Sequence, residues 1–193
     1  MISKGEASQA KILDAAFKLF IQQGYHGTSM RDIAEAAGLA AASIYNHFPS
    51  KEAIFKDVIE GFHPYREIIA ALSAATGDSV EALVRSAADG IIQVIAKRRD
   101  VVNLLFIELV EFDGRHANAL FRTVFPQAMP FMQKLEEANG ALRPIAAPDR
   151  MLALIGVMVS QWLMSLIFAL DEAQLRARLD QAVDIYLHGI LQD

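Results

Sequence analysis

Apolar residues recur at helical spacing along almost the whole chain. Ile12, Ala15, Ala16, Leu19 and Phe20 fall at i, i+3, i+4, i+7 and i+8, which predicts a helix from about Ser8 to Gln23 packed on one side. Gly24 is placed to end it, since glycine tolerates the left-handed conformation at a helix C-terminus. Ser29 and Asp32, three residues apart, have the form of a capping box that opens a second helix with Ile33, Ala34 and Ala37 on one face. Gly38 is the turn residue. A helix resuming near Ala40 then carries Ile44 and Phe48 as inward anchors and leaves Ala41, Ala42, Ser43, Asn46 and His47 on its free face. From Ser50, Ile54, Phe55, Val58 and Ile59 make one inward stripe, until Pro64 kinks or breaks the helix.

The same period continues to the end of the chain. Helical segments are predicted from Ser79 to about Arg99, over Val101 to Phe112, and, after the turn Asp113-Gly114, from Arg115 to about Ala138, where Pro126 and Pro130 interrupt. Asn139-Gly140 and the stretch from Pro144 to Pro148 form the longest loop. Two helices finish the chain, about Asp149–Leu170 and Asp171–Leu191. No strand-like alternation and no internal repeat occurs, so the fold class is all-α. Met151 to Leu170 carries no charged residue, and about twenty apolar residues can span a bilayer. Gly156, Ser160, Gln161 and Ser165 dilute that signal, and a helix buried on more than one side is the preferred reading, with no membrane partner. An apolar surplus on both final helices makes them candidates for a subunit interface, two from each chain. Met158, Leu166, Leu175, Leu179, Val183, Tyr186 and Ile190 are the expected contact positions.

Two short helices joined by a glycine turn, with the second anchored inward and its far face free, is the pattern of a helix-turn-helix that enters the DNA major groove. Gly24-Tyr25, Thr28-Ser29-Met30, Ile33-Ala34, Ala37-Gly38-Leu39, Ile44-Tyr45, His47-Phe48 and Ser50-Lys51-Glu52 stand at fixed spacing across this stretch. In these residues the chain resembles the N-terminal domain of TetR-family transcriptional regulators. The resemblance implies a three-helix DNA-binding domain over residues 1–50 and an all-helical effector-binding and dimerisation domain over 51–193. It further implies a homodimer joined through the last two long helices, a palindromic double-stranded operator, and a small-molecule effector that releases a repressor.

Charge distribution sharpens this picture. The net charge of −5 is unexpected for a DNA-binding protein. Residues 1–51, however, hold Lys4, Lys11, Lys18, Arg31 and Lys51 against Glu6, Asp14, Asp32 and Glu35, a balance of +1 that leaves −6 for the remainder. The acidity thus lies in the part that need not touch DNA, although +1 is a thin footprint for phosphates. The absence of cysteine excludes a disulfide framework, a cysteine-ligated zinc finger and a thiol nucleophile, and fits a reducing cytoplasm.

By the resemblance, Thr28, Ser29, Tyr45, His47 and Lys51 are positions that hold phosphates. The alternatives are an inward-packed Tyr45 and an ordinary solvated Lys51. Ala40, Ala41 and Ala42 offer only methyl groups to the bases, and Ala40 lacks the hydroxyl of a good N-cap. Polar base reading therefore falls on Arg31, Ser43 and Asn46. For the effector, Phe121, Phe125, Met129 and Met132 form a stripe in the proline-interrupted segment, and soft methionines adapt to apolar guests. Phe106 and Trp162 complete the expected pocket, with Glu108, Glu111, Arg122 or Gln161 as polar anchors.

A helical-bundle metal enzyme is the rival from another class, because Glu60 and His63 have Glu-x-x-His spacing. Such sites need two units, and His116 and His188 do not complete a second. No metal, cofactor or catalytic residue is expected. A ligand-free architectural DNA-binding dimer is a further alternative, against which the large apolar second half argues. Lys97-Arg98-Arg99 reads as the cationic end of a helix.

Overall fold

The computed structural model describes residues 4–98 and 100–192; Arg99, the last of the basic run, lies outside them. Among the described residues the chain forms α1 (Lys4–Gln23), α2 (Met30–Ala36), a 3₁₀ turn (Ser43–Asn46), α3 (Lys51–Phe62), α4 (Tyr65–Ala74), α5 (Val80–Ile95), α6 (Val101–Phe112), α7 (Arg115–Glu137), α8 (Ala147–Ile167) and α9 (Glu172–Ile190). No strand occurs among them, only isolated bridges at Ser79–Asn139 and Leu142–Leu191. The all-α expectation holds.

Two compact units emerge, Met1–His63 with Asp100–Phe121, and Pro64–Arg99 with Arg122–Asp193. The first extends beyond the expected boundary at residue 50 and is discontinuous in sequence. Its core explains why. Ile12, Phe20, Ile33, Ile44, Ile54 and Phe55 are all buried, and α6 contributes Leu104 and Phe112 to the same cluster. Phe55 stacks on Phe112 with ring centroids 4.8 Å apart, and Tyr25 meets Phe112 edge-on at 4.8 Å. Burying such an aromatic ring stabilises by roughly 1.5–3 kcal/mol, so α3 and α6 belong thermodynamically with the first three elements.

In the second unit α5 buries a continuous stripe that includes Leu83, Val84, Ala87, Ile91 and Ile92. It packs closely on α4, where a β-carbon at Gly90 would lie 3.0 Å from that of Ala71. Arg85 pairs with Asp184, and Arg176 with Asp89, across α5 and α9. α8 and α9 lie close along their lengths. Pro64 breaks α3 from α4 as expected, with His63 extended ahead of it.

α7 departs from expectation by running unbroken through Pro126 and Pro130. Both prolines are on the exposed side, where water can replace the missing N–H donors.

The expected dimer contacts need a larger correction. Met158, Leu175, Leu179, Val183, Tyr186 and Ile190 are buried within the chain, and Leu166 is half-buried. Tyr186 donates its hydroxyl to the carbonyl of Arg150 at 3.0 Å, and burial pushes its pKa up to about 12. These residues are the chain's own core stripe. Exposed apolar side chains lie elsewhere: Leu152, Val159, Ile167 and Phe168 at α8, and Ile185 on α9 at 74% exposure. α8 is long and apolar enough to cross a membrane, with a mean hydropathy of 1.6. Its stripe of Met151, Leu154, Met158, Trp162 and Ser165 is nevertheless buried, and Arg150 in its first turn pairs with Glu136.

Candidate nucleic-acid interface

Local chemistry builds the interface from α1 onward. Gly27 has no room for a side chain, because a β-carbon there would sit 2.3 Å from the carbonyl oxygen of Gln23. Beside it, Thr28 is 1% exposed and donates its hydroxyl to the carbonyl of Gly24 at 2.8 Å. The Thr28 side chain therefore locks the turn and cannot reach a phosphate, which corrects its expected role.

Ser29 caps α2 as expected. Its Oγ accepts from the backbone N–H of Asp32 at 3.1 Å and donates to the Asp32 carboxylate at 2.7 Å, which in turn accepts from the Ser29 N–H at 2.9 Å. Hydrogen bonding to Ser29 holds the Asp32 carboxyl below the usual carboxylate range. The Ser29 hydroxyl is thus engaged in the cap. At the other end of α2, the N–H groups of Gly38 and Leu39 bond to the carbonyls of Glu35 and Ala34 at 3.0 and 2.8 Å. This paired closure requires the positive φ of +70° that Gly38 adopts.

The expected recognition helix is shorter and tighter than its sequence predicts. Ala41-Ala42 form a turn, and Ser43–Asn46 is a single 3₁₀ turn, with Ser43 N–H bonded to the Ala40 carbonyl and His47 N–H to that of Ile44. Two sequence features account for this. No side chain caps its start at Ala42, and Phe48 precedes Pro49, which disfavours helical geometry at Phe48. Ile44 and Phe48 are buried as anchors, so the direction of the element is kept.

Anchored this way, Arg31, Ala40, Ala41, Ala42, Tyr45 and Asn46 are exposed, and Ser43 and His47 half-exposed. Tyr45 at 58% exposure does not pack inward. The side chains of Arg31, Tyr45, Asn46 and His47 have no hydrogen-bond partner among the described residues, leaving their donors and acceptors available to DNA.

Lys51 is neither a solvated lysine nor a free phosphate ligand. Its Nζ donates to the carbonyls of Tyr25 and Thr28, both at 2.6 Å, and stands 4.1 Å from the centre of the Tyr25 ring. Burial pulls its pKa down, opposed by the charges of Glu111 and Asp32. One N–H of the ammonium remains for a phosphate.

Further contacts in this unit were invisible to sequence spacing. His26 Nε2 lies 2.5 Å from a carboxylate oxygen of Glu111 on α6, a pairing across 85 residues. Glu108, expected in the effector pocket, is fully buried and accepts from the backbone N–H groups of His116 and Ala117 at 2.6 and 3.0 Å and lies 2.9 Å from His116 Nδ1. It caps the start of α7, which corrects its assignment as an effector anchor. The other expected pocket residues are divided: Phe106 and Phe121 belong to the first unit, and Phe125, Met129, Met132, Gln161 and Trp162 to the second. No cluster of His, Asp or Glu suited to a metal occurs among the described residues.

The model for bacterial regulatory proteins of the tetR family matches residues 12–58, from the middle of α1 through α2 and the glycine turn to most of α3. Over these residues the chain is similar to the DNA-binding region of the tetR family. Over 88 residues it is 38% identical to the HTH-type transcriptional repressor KstR2 of Rhodococcus jostii, a match covering 43% of each chain. Similarity to the HTH-type transcriptional repressor DhaR of a Mycobacterium species is 26% identity, over 93% of this chain and 90% of that one. The fatty acid degradation regulator FadR of Bacillus halodurans has the same fold, with a TM-score of 0.75 at 19% identity over 93% of this chain and 94% of that one. The match to this DNA-binding region and the repressor names of these relatives indicate a DNA-binding transcriptional regulator.

Proposed function

We propose that the protein is a cytoplasmic homodimeric repressor that grips a palindromic operator through two copies of the surface around the 3₁₀ turn and is released by a small, largely apolar effector held in its second unit. The carrying observation is that Arg31, Tyr45, Asn46 and His47 stand on one anchored element pair with unpaired polar groups, while Ile33, Ile44 and Phe48 fix that pair from beneath. Phosphate contact falls to Tyr45, His47 and the remaining Lys51 donor, and base reading to Arg31, Ser43 and Asn46. The alanines at 40–42 allow close approach to thymine methyls. The repressor names of KstR2 and DhaR support the direction of control.

Dimerisation through the exposed apolar side of α8 and α9 doubles an otherwise thin positive footprint and sets the spacing of the half-sites. A gel-shift assay with DNA flanking the protein's own coding region, run at several salt concentrations, tests the reading. Saturable binding to one two-fold-symmetric segment is expected; equal, salt-sensitive binding to every fragment contradicts it.

A further inference from the structure

Trp162 is 7% exposed on the inward stripe of α8, and its indole Nε1–H is buried with no hydrogen-bond partner among the described residues. Buried donors are almost always satisfied, and each exception calls for a physical cause. Its own helix offers no remedy. Met158, one turn before, is buried and apolar, and Ser165, one turn after, donates its hydroxyl to the Trp162 carbonyl at 2.6 Å.

The surroundings permit a guest. α5, α8 and α9 approach one another closely, but residues 122–137 of α7 make no comparably close backbone approach to any of them. α7 contributes the buried side chains Phe131, Met132 and Leu135 to the same unit, among them one flexible methionine. Such a side chain can rearrange around an apolar molecule.

We infer that the Trp162 indole N–H is the polar anchor of a binding site in the second unit for a neutral, mainly apolar molecule carrying a hydrogen-bond acceptor such as an ester or ketone carbonyl. The inference rests on the reading of the second unit as an effector domain and names the chemical class of its ligand. An indole nitrogen only donates, so a ligand matched to it must accept. A carboxylate is disfavoured, because one neutral donor does not compensate a buried anion. The buried cation on the same helix, Arg150, lies twelve residues away, on the order of 18 Å along the axis. Its Nη groups are already taken by the Ile145 carbonyl and the Glu136 carboxylate.

Trp162 is the only tryptophan in the chain, so its indole N–H gives one resonance in a ¹H–¹⁵N spectrum of the full-length protein. Titration with methyl decanoate, decanoate and undecane separates the cases. A saturable downfield movement of that resonance with methyl decanoate, a weaker response to decanoate and none to undecane is expected. Trp162→Phe, which keeps the ring and removes the donor, is expected to bind methyl decanoate about tenfold more weakly by calorimetry. An indole resonance that ignores the ester, or moves equally with undecane, overturns the inference, as does tighter binding of decanoate or unchanged affinity in Trp162→Phe. The wild-type spectrum decides the matter even if the variant fails to fold. Operator binding is measured separately, so failure of the repressor reading is told apart from failure of this site.

Discussion

The Nζ of Lys51 lies 4.1 Å from the centre of the Tyr25 ring and donates at 2.6 Å to the carbonyl of the same residue. One side chain thereby ties the start of α3 to the turn between α1 and α2. Lys51→Ala removes two charge-assisted hydrogen bonds and a cation–π contact at a partly solvated site. The expected cost is about 1–3 kcal/mol. Thermal unfolding should therefore begin several degrees lower, at roughly 2–4 °C per kcal/mol for a chain of this size. An unchanged melting temperature would show that these contacts exchange freely with water.

Arg31 and Lys51 should separate in their effect on DNA. Arg31 is exposed and unpaired, placed to read a guanine, whereas Lys51 supports the turn and offers one donor to a phosphate. Arg31→Ala is expected to lose about 1–3 kcal/mol of discrimination between operator and random duplex. Lys51→Ala should weaken both alike. Competition gel shifts with the two duplexes check this, and equal losses for both variants would refute the division.

Acid should release the cap of α2 before it unfolds the core. The Asp32 carboxyl is held below its ordinary value of 3.8 by hydrogen bonds from Ser29. A group whose folded-state pKa is depressed contributes stability above the unfolded value and loses it as pH falls through the folded value. The Ser29 and Asp32 amide resonances should therefore shift together below pH 3.8, and Asp32→Asn should abolish that shared titration. Independent movement of the two amides would contradict the reciprocal box.

What was legible in sequence was local. Ser29 with Asp32, Gly38, Ser50 and Asp113-Gly114 act through bonds to residues a few positions away, so their spacing predicts their geometry. Long-range facts were not legible. Helical periodicity says that Leu175, Leu179 and Val183 share a face, but not whether that face meets its own chain or a partner. The structure turns them inward and leaves Ile185, off that face, exposed. Likewise Glu108 read from sequence as a ligand anchor, and only the approach of His116 across the Asp113-Gly114 turn makes it a buried cap. The short 3₁₀ turn was half-legible: Ala40 signalled a weak start, while the tightening ahead of Pro49 needed the backbone.

Glu108→Ala strands the N–H groups of His116 and Ala117 in a buried site. Breaking such an arrangement by removing one partner costs about 3–5 kcal/mol. Glu108→Gln keeps one acceptor and should lose less. Urea unfolding measures both; a midpoint unchanged in the alanine variant would mean that water satisfies the start of α7.

Val159 and Leu179 offer a direct choice between the two faces of the final helices. Val159 is 42% exposed on α8 and Leu179 2% exposed on α9. If the exposed side of α8 joins two copies, Val159→Glu buries a charge at each interface and should convert the dimer to monomer in sedimentation equilibrium at micromolar concentration. Unfolding of the monomer itself should change little, since the residue meets solvent there. Operator affinity should fall steeply as half-sites lose their coupling. Leu179→Ala should do the reverse, lowering chain stability by about 2–5 kcal/mol through a cavity while the subunits remain paired. A Val159→Glu protein that stays dimeric would place the interface elsewhere. In that case Phe106, Leu109 and Val110 on α6, also exposed, would be the next surface to charge.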